Sequence, residues 1–279
     1  MAISAKDVAR LRAMTSAGMM DCKKALTEAE GDFDKAVELL RKRGQAKASK
    51  RADREAKEGA IFVNLNADGS EAVLIELNCE TDFVARNESF QEMGTKFVDF
   101  AAAQKPADLD ALKALEMDGK SVADQLVNAT GTIGEKIDIS KYEVVSGEKV
   151  VTYIHPGARI GVAVAFQGAN GGDIATIGKD VAMQITAMNP AALDKDGVAQ
   201  EIIDRELRIG REQALAAGKP EHIVDKIAQG KLNKFFKENT LLNQDFVKDT
   251  SKTVGNYIKD SLGSDAKVVT YKRLQLGVK

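Results

Sequence analysis

Apolar and polar positions along the first part of the chain predict three short helices. Apolar side chains recur at helical spacing in residues 3–14, 19–26 and 33–43, with glycine-containing turns between these stretches. Asp32 is placed to cap the third helix, and Gly44 is placed just after its end. The pattern therefore predicts a small bundle of three helices.

The second of these helices opens on two adjacent methionines, Met19 and Met20. Both cannot point into so small a core, so we expect at least one to be exposed, where methionine is suited to adaptable contacts. The alternative is that both side chains fill gaps between the helices. A glycine followed by an apolar pair in the first loop is a pattern that resembles the ubiquitin-associated fold.

Beyond residue 59 the pattern predicts two related halves, each with a hairpin of strands, helices and a final strand. Short apolar runs bounded by turn residues predict the strands, and longer runs with helical spacing predict the helices. The predicted elements are strands at 60–65 and 72–77, helical segments at 88–103 and 109–129, a strand at 139–145, strands at 149–154 and 159–166, helices at 174–188 and 246–262, and a strand at 268–274. These elements favour an α+β fold.

A pair of helices, residues 198–215 and 222–236, interrupts the second half. Gly218 can end the first of them and Pro220 can begin the second. Three apolar residues follow the seven-residue interval of a coiled coil: Ile202, Ile209 and Ala216. We predict an inserted antiparallel coiled-coil hairpin whose two ends lie close together. The predicted domains are a three-helix partner-binding domain at 1–45, a basic linker at 46–59, a first core half at 60–145, a second core half at 146–190 and 240–279, and the hairpin at 191–239.

One connection between a strand and a helix is longer than its counterpart in the other half. The link from Leu77 to Phe90 has about five more residues than the link from Phe166 to Ile174. The extra residues fall in 81–87, whose letters are TDFVARN. A loop that carries a large apolar ring beyond what the fold needs indicates a binding finger. The alternative is that the phenylalanine folds back onto the core and the aspartate caps the next helix.

Composition and charge narrow the class of protein. The chain has 279 residues, 44% hydrophobic and 29% charged, which is ordinary for a globular protein of two or three domains. Its net charge of −2 and its few aromatic residues argue against nucleic-acid binding. The basic segment 45–58 is predicted to be a solvated helical linker, and the alternative is that it binds nucleic acid. No apolar run is long enough to cross a membrane, and we expect no signal peptide and a cytoplasmic location.

The sequence lacks the motifs of common catalytic sites, and it contains only two histidines. Phosphate-binding loops and the common hydrolase and metalloprotease motifs are absent. Cys22 and Cys79 are too few for a cysteine zinc site, and Cys79 is better explained as a buried strand residue than as a nucleophile paired with His155. His222 is predicted to be a surface residue. His155 lies between two strands, where its ring can meet a partner or bond to its own turn.

Three motifs, in order along the chain, resemble those of the translation elongation factor Ts family. They are residues 18–26 (GMMDCKKAL), 78–85 (NCETDFVA) and 153–155 (YIH), the last followed by 158–162 (ARIGV). That family is the guanine-nucleotide exchange factor of elongation factor Tu. The resemblance implies a three-helix N-terminal domain, a core of two related α+β halves and a protruding coiled-coil hairpin.

The resemblance also implies which residues touch the partner. One set would approach the magnesium ion of the partner's nucleotide, with the phenylalanine wedged between partner side chains: Thr81, Asp82, Phe83, Val84 and His155. A second set would hold the partner's nucleotide domain: Arg12, Met19 and Met20. The partner would be elongation factor Tu in its GDP-bound and nucleotide-free states. No covalent step, no cofactor and no metal bound by this chain are implied, and the assembly is left open between a monomer, a homodimer and a two-plus-two complex.

The chain departs from the family pattern in two places. His155 is followed by one extra residue before the next strand, and the chain ends soon after its last predicted strand, so a contact made by an acidic tail in some members is expected to be missing. Two other functions remain as alternatives. One is a ubiquitin-associated-type peptide-binding adaptor with a structural core, and the other is a thiol enzyme that uses Cys79.

Overall fold

The structure, a computed structural model, describes residues 3–15 and 17–278, so Met1, Ala2, Ser16 and Lys279 lie outside the described residues although the predicted domains include them. Helices and small sheets are mixed along the chain, which confirms the α+β class. The chain divides into two compact units. The first contains the residues up to Asn64, Leu74–Glu143 and the residues from Gln275, and the second contains Leu65–Val73 and Val144–Leu274.

The first unit begins with three helices: α1 (Ala5–Thr15), α2 (Met19–Glu28) and α3 (Phe33–Arg51). Leu11, Cys22 and Leu26 form the centre of their small core. Asp32 caps α3 as predicted, since its side chain accepts a hydrogen bond from the Lys35 N–H at 3.1 Å.

The predicted end of the third helix was wrong. Helix α3 continues through Gly44 to Arg51 and takes in most of the predicted linker. This stretch of α3 packs against a later helix of the same unit. The two helices are in close contact where the backbone of Gly44 meets the backbone of Gly131. Glycine provides close approach here rather than a helix end.

The rest of the first unit is built around most of a three-stranded sheet with the order β1-β2-β5, while residues 65, 71–73 and 144–146 of these strands are counted in the second unit. Its elements are β1 (Glu58–Leu65), β2 (Glu71–Cys79), α4 (Asp82–Ala85), α5 (Glu88–Gln104), α6 (Leu109–Ala114), β3 (Glu116–Met117), β4 (Lys120–Ser121), α7 (Val122–Ile133) and β5 (Asp138–Ser146). The predicted helical stretch 109–129 is interrupted by the small β3-β4 hairpin, because Asp118 and Gly119 both take positive φ and reverse the chain.

The second unit has a three-stranded sheet with the order β10-β7-β6. Its elements are β6 (Lys149–Ile154), β7 (Ile160–Gln167), α8 (Ile174–Met188), α9 (Gln200–Ala216), α10 (Glu221–Asn239), β8 (Asp245–Phe246), β9 (Asp249–Thr253), α11 (Val254–Leu262) and β10 (Lys267–Gln275). The predicted helix 246–262 begins only at Val254. The preceding residues form the β8-β9 hairpin, which Gln184 holds by accepting the Val247 N–H at 2.9 Å.

The two sheets share one plan. In each, two consecutive strands form a hairpin, the second of them is central, and the last strand of the half lies on its other side. A long helix follows the central strand in both halves, and a short hairpin precedes the last helix in both. This agrees with the internal repeat inferred from the hydrophobic pattern, while the exact domain boundaries stay a prediction.

Helices α9 and α10 form a hairpin that packs on itself. Gly210 of α9 lies so close to α10 that a Cβ at this position would be 2.9 Å from the Ala228 Cα. The ends of the hairpin meet: the Leu241 N–H donates to the Ala192 carbonyl at 2.9 Å, and the Leu242 N–H donates to the Leu193 carbonyl at 3.0 Å. The prediction that these ends lie close together is confirmed.

Candidate functional site

Residues 81–87, which we call the finger, connect β2 to α5. Four of them form the single helical turn α4, which Thr81 caps by accepting the Val84 N–H at 3.4 Å. The far end is fixed as well, because the Gln91 side chain donates to the Ala85 carbonyl at 2.6 Å and Asn87 caps α5. The finger is therefore a braced turn rather than a loose loop.

Phe83 is the most exposed apolar side chain of the finger, with 83% of its surface open to solvent. The alternative in which this ring folds back onto the core is wrong, and Thr81 rather than Asp82 caps the following turn. Asp82 instead forms an ion pair with Arg86, at 3.0 Å. An exposed aromatic ring on a braced turn is a typical anchor for a protein partner.

The root of the finger is held by a residue that sequence reasoning missed. Glu135, just after α7, accepts the backbone N–H groups of Glu80 and Thr81 and the hydroxyl of Thr81. Glu80 returns the contact by accepting the Lys136 N–H at 2.8 Å. Hydrophobic periodicity cannot link Glu135 to residues 80–81, which lie far from it in the chain. The pair Gly134-Glu135 is also a common one, so the sequence contained no indication that Glu135 would contact the finger.

Glu80 also joins the root of the finger to the end of α3. Its carboxylate pairs with Arg51 at 2.8 Å and with Arg54 at 3.0 Å. Burial raises the pKa of Glu80, but the hydrogen bonds from the Lys136 N–H, Arg54 and Arg51 outweigh it, so the pKa lies below its ordinary value. Two of the predicted linker arginines thus have a structural role in the first unit.

His155 belongs to the second unit and lies, exposed, in the turn between β6 and β7. Its N–H donates to the Ile160 carbonyl and its carbonyl accepts the Ala158 N–H, both at 2.9 Å, so the turn is well defined. The Tyr153 hydroxyl lies 3.1 Å from Nδ1 of the ring. The ring of His155 is therefore oriented by Tyr153 near the end of β6. His222 is a surface residue as predicted.

The adjacent methionines at the start of α2 are both exposed, at 56% for Met19 and 63% for Met20. The expectation that at least one of them faces solvent is confirmed, and the alternative that both fill gaps is wrong. Arg12 on α1 is exposed too. Asp21 and Lys47 form an ion pair at 2.9 Å that joins α2 to α3.

The two cysteines are poor candidates for a nucleophile. Burial, followed by the charge of Glu135, raises the pKa of Cys79 to about 12, so this thiol is protonated at neutral pH and is a poor nucleophile. Cys22 is fully buried.

Within residues 3–15 and 17–278, no three histidine, cysteine or acidic side chains cluster as metal ligands would. In the same residues, none of the helices has the length and apolar character needed to cross a membrane.

Comparison with known proteins gives one consistent result. The family described as Elongation factor TS matches residues 80–278. Elongation factor Ts of Amoebophilus asiaticus (strain 5a2) is 52% identical over 277 residues, covering 99% of this chain and all of that protein. Elongation factor Ts of Cytophaga hutchinsonii is 46% identical over 275 residues, and that of Porphyromonas gingivalis (strain ATCC 33277) is 47% identical over 277 residues, each with 98–99% of both chains covered.

Proposed function

The chain belongs to the elongation factor Ts family, and on this premise we propose that it binds elongation factor Tu carrying GDP and speeds the release of that nucleotide. Membership makes it a translation elongation factor and implies nucleotide exchange for elongation factor Tu. In the proposed mechanism the finger enters the partner near its magnesium and phosphate site. GDP leaves, GTP can then bind, and no covalent bond is made or broken. We expect this to take place in the cytoplasm, where translation occurs.

The observation that carries this proposal is the exposure of Phe83 on a braced turn. A fixed turn loses little conformational freedom on binding, so more of the contact energy remains for changing the partner. Burying one phenylalanine contributes about 1.5–3 kcal/mol. Asp82 can change its ion-pair partner from Arg86 to a group of elongation factor Tu at small cost, since both side chains are partly exposed.

The energetics follow from reciprocal coupling. If the factor weakens GDP binding to elongation factor Tu, GDP must weaken binding of the factor by the same ratio. A hundredfold coupling requires about 2.7 kcal/mol of differential interaction. One wedged ring together with a few rearranged hydrogen bonds reaches that value.

Two further surfaces are proposed to hold the partner. Met19 and Met20, with Arg12 as a charged neighbour, would contact the nucleotide domain, because two exposed thioethers adapt to an uneven apolar surface. His155 would make a contact from the second unit, with its ring oriented by Tyr153.

Release of labelled GDP from elongation factor Tu tests the proposal. We expect the purified chain to accelerate release in a saturable manner. A peptide-binding adaptor built on the three helices, or a thiol enzyme using Cys79, would leave the release rate unchanged. Absence of acceleration at saturating factor contradicts the proposed function.

We expect the double variant Cys22→Ser, Cys79→Ser to exchange nucleotide at a rate within about twofold of the unchanged protein, because both thiols are buried and Cys79 is protonated at neutral pH. The hydroxyl of a serine at position 79 can still donate to the Thr81 carbonyl, which the Cys79 thiol contacts at 3.1 Å. Burying a hydroxyl without a full hydrogen bond lowers the free energy of unfolding by about 1–3 kcal/mol. This cost falls mainly on position 22, where the thiol lies 3.6 Å from the Ala17 carbonyl. Loss of exchange in a folded variant would restore the thiol hypothesis.

We expect replacement of residues 198–236 by Gly-Ser-Gly to leave the two halves folded, because the hairpin packs on itself and its ends are hydrogen-bonded to each other. A short closed loop costs little extra entropy, so the rest of the chain should stay folded. Exchange should fall only modestly, through the loss of peripheral contact or of self-association. Thermal unfolding, exchange rate and mass in solution are the measurements, and a variant lacking only residues 212–224 at the tip is the control. Failure to fold would make the hairpin part of the core, and complete loss of exchange in a folded variant would make it an essential contact.

A further inference from the structure

Glu135 contacts the root of the finger through both oxygens of its carboxylate. Oε2 accepts the Thr81 N–H at 2.9 Å and the Glu80 N–H at 3.1 Å, and Oε1 accepts the Thr81 hydroxyl at 2.7 Å. Contacts to two successive N–H groups and to a side chain fix both the position and the rotation of the backbone at Thr81. Hydrogen bonds to a charged acceptor are the strong class.

These contacts act on the turn that carries Phe83. The Thr81 hydroxyl has one proton, and it donates that proton to Glu135, which leaves its lone pairs to accept the Val84 N–H that caps α4. Without Glu135 the Thr81 side chain is held less firmly in the χ1 rotamer that places its oxygen against the Val84 N–H, which weakens the cap of a four-residue helix. Glu135 therefore supports the hydroxyl that caps α4, and α4 carries Phe83.

We propose that Glu135 is a positioning residue for nucleotide exchange, which holds the finger so that Phe83 projects in the orientation that the partner requires. The inference rests on the proposed function. Glu80 completes the arrangement, because its carboxylate accepts the Lys136 N–H while its own N–H donates to Glu135. Hydrogen bonds between backbone N–H groups and carboxylates thus join segments 80–81 and 135–136 in both directions.

A purely structural role predicts a different result, and the chain contains a matched control. Asp173 at the start of α8 also accepts two backbone N–H groups and a threonine hydroxyl, from Ala175 and Thr176. It lies in the second half at the connection that has no finger. Loss of either carboxylate removes a comparable set of hydrogen bonds, so any common effect on stability cancels between the two variants.

The test compares Glu135→Ala, Glu135→Gln and Asp173→Ala in the GDP-release assay over a range of factor concentrations, with thermal unfolding alongside. We expect Glu135→Ala to lower the maximal release rate about tenfold, Glu135→Gln to retain most of the rate because its amide oxygen still accepts the two N–H groups, and Asp173→Ala to match the unchanged protein. If Glu135→Ala does not fold, Glu135→Asp takes its place, because its shorter side chain cannot make all three contacts and should lower the maximal rate. A rate for Glu135→Asp equal to that of the unchanged protein would then overturn the inference.

A second arm uses Phe83→Ala as background. If Glu135 acts by orienting Phe83, adding Glu135→Ala to Phe83→Ala lowers the rate little further, whereas independent roles give effects that multiply. Equal exchange rates for Glu135→Ala and Asp173→Ala, or multiplied effects in the double variant, overturn the inference. Failure of the unchanged protein to accelerate release is a separate outcome, which overturns the proposed function instead.

Discussion

Phe83→Ala should slow GDP release from elongation factor Tu about tenfold to a hundredfold at saturating factor. The ring is 83% exposed in the free protein and would be buried only in the complex, so its loss removes about 1.5–3 kcal/mol of contact energy. Each 1.4 kcal/mol corresponds to a factor of ten. We expect the maximal rate to fall more than the affinity, because the wedge acts on the partner's nucleotide site.

Stopped-flow release of labelled GDP over a range of factor concentrations separates the maximal rate from the affinity. Phe83→Leu, which keeps an apolar side chain of similar reach, should retain a larger share of the rate. Val247→Ala, which removes exposed apolar surface from the second unit, should have no effect. Thermal unfolding should hardly change in any of the three, since none of these side chains fills the core. An unchanged maximal rate for Phe83→Ala would rule out the wedge.

Among the single substitutions, the largest expected effect on stability comes from Gly131→Ala. A Cβ at Gly131 would lie 2.7 Å from the carbonyl carbon and oxygen of Gly44, and backbone atoms of a helix cannot yield as a flexible side chain would. Helices α3 and α7 must therefore move apart. Overpacking of this kind costs about 1–3 kcal/mol, and here it should exceed the roughly 1 kcal/mol that alanine gains over glycine inside a helix.

Denaturant unfolding tests this against two other glycines in helices. Gly44→Ala at the same crossing should cost less, since its Cβ would be 3.5 Å from the Gly131 Cα, an ordinary contact. Gly230→Ala in α10 has nothing within 4 Å and should raise the free energy of unfolding by about 0.5–1 kcal/mol. If Gly131→Ala is as stable as the unchanged protein, the two helices are not in backbone contact.

The local pattern of apolar and turn residues was sufficient to predict most of the helices and strands. The long helices α5, α8, α9 and α10 and the central strands β2 and β7 follow from periodicity and turn residues, because their apolar faces are complete within each segment. The short hairpins at 116–121 and 245–253 were missed, because strands of two to five residues are too short to show a period. The exposure of Phe83 was inferred from loop length, by comparing one half of the chain with the other.

The sequence by itself determined the α+β class, the repeated plan, the inserted hairpin, and the finger with its aromatic ring, since each of these depends on residues near one another in the chain. Tertiary structure alone decided two further features. Gly44 continues a helix because Gly131 of another helix meets it, and Glu135 becomes the anchor of the finger because the chain returns to Thr81 after 54 residues. Both depend on contacts between segments far apart in sequence, and a local pattern carries no information about the partner in such a contact.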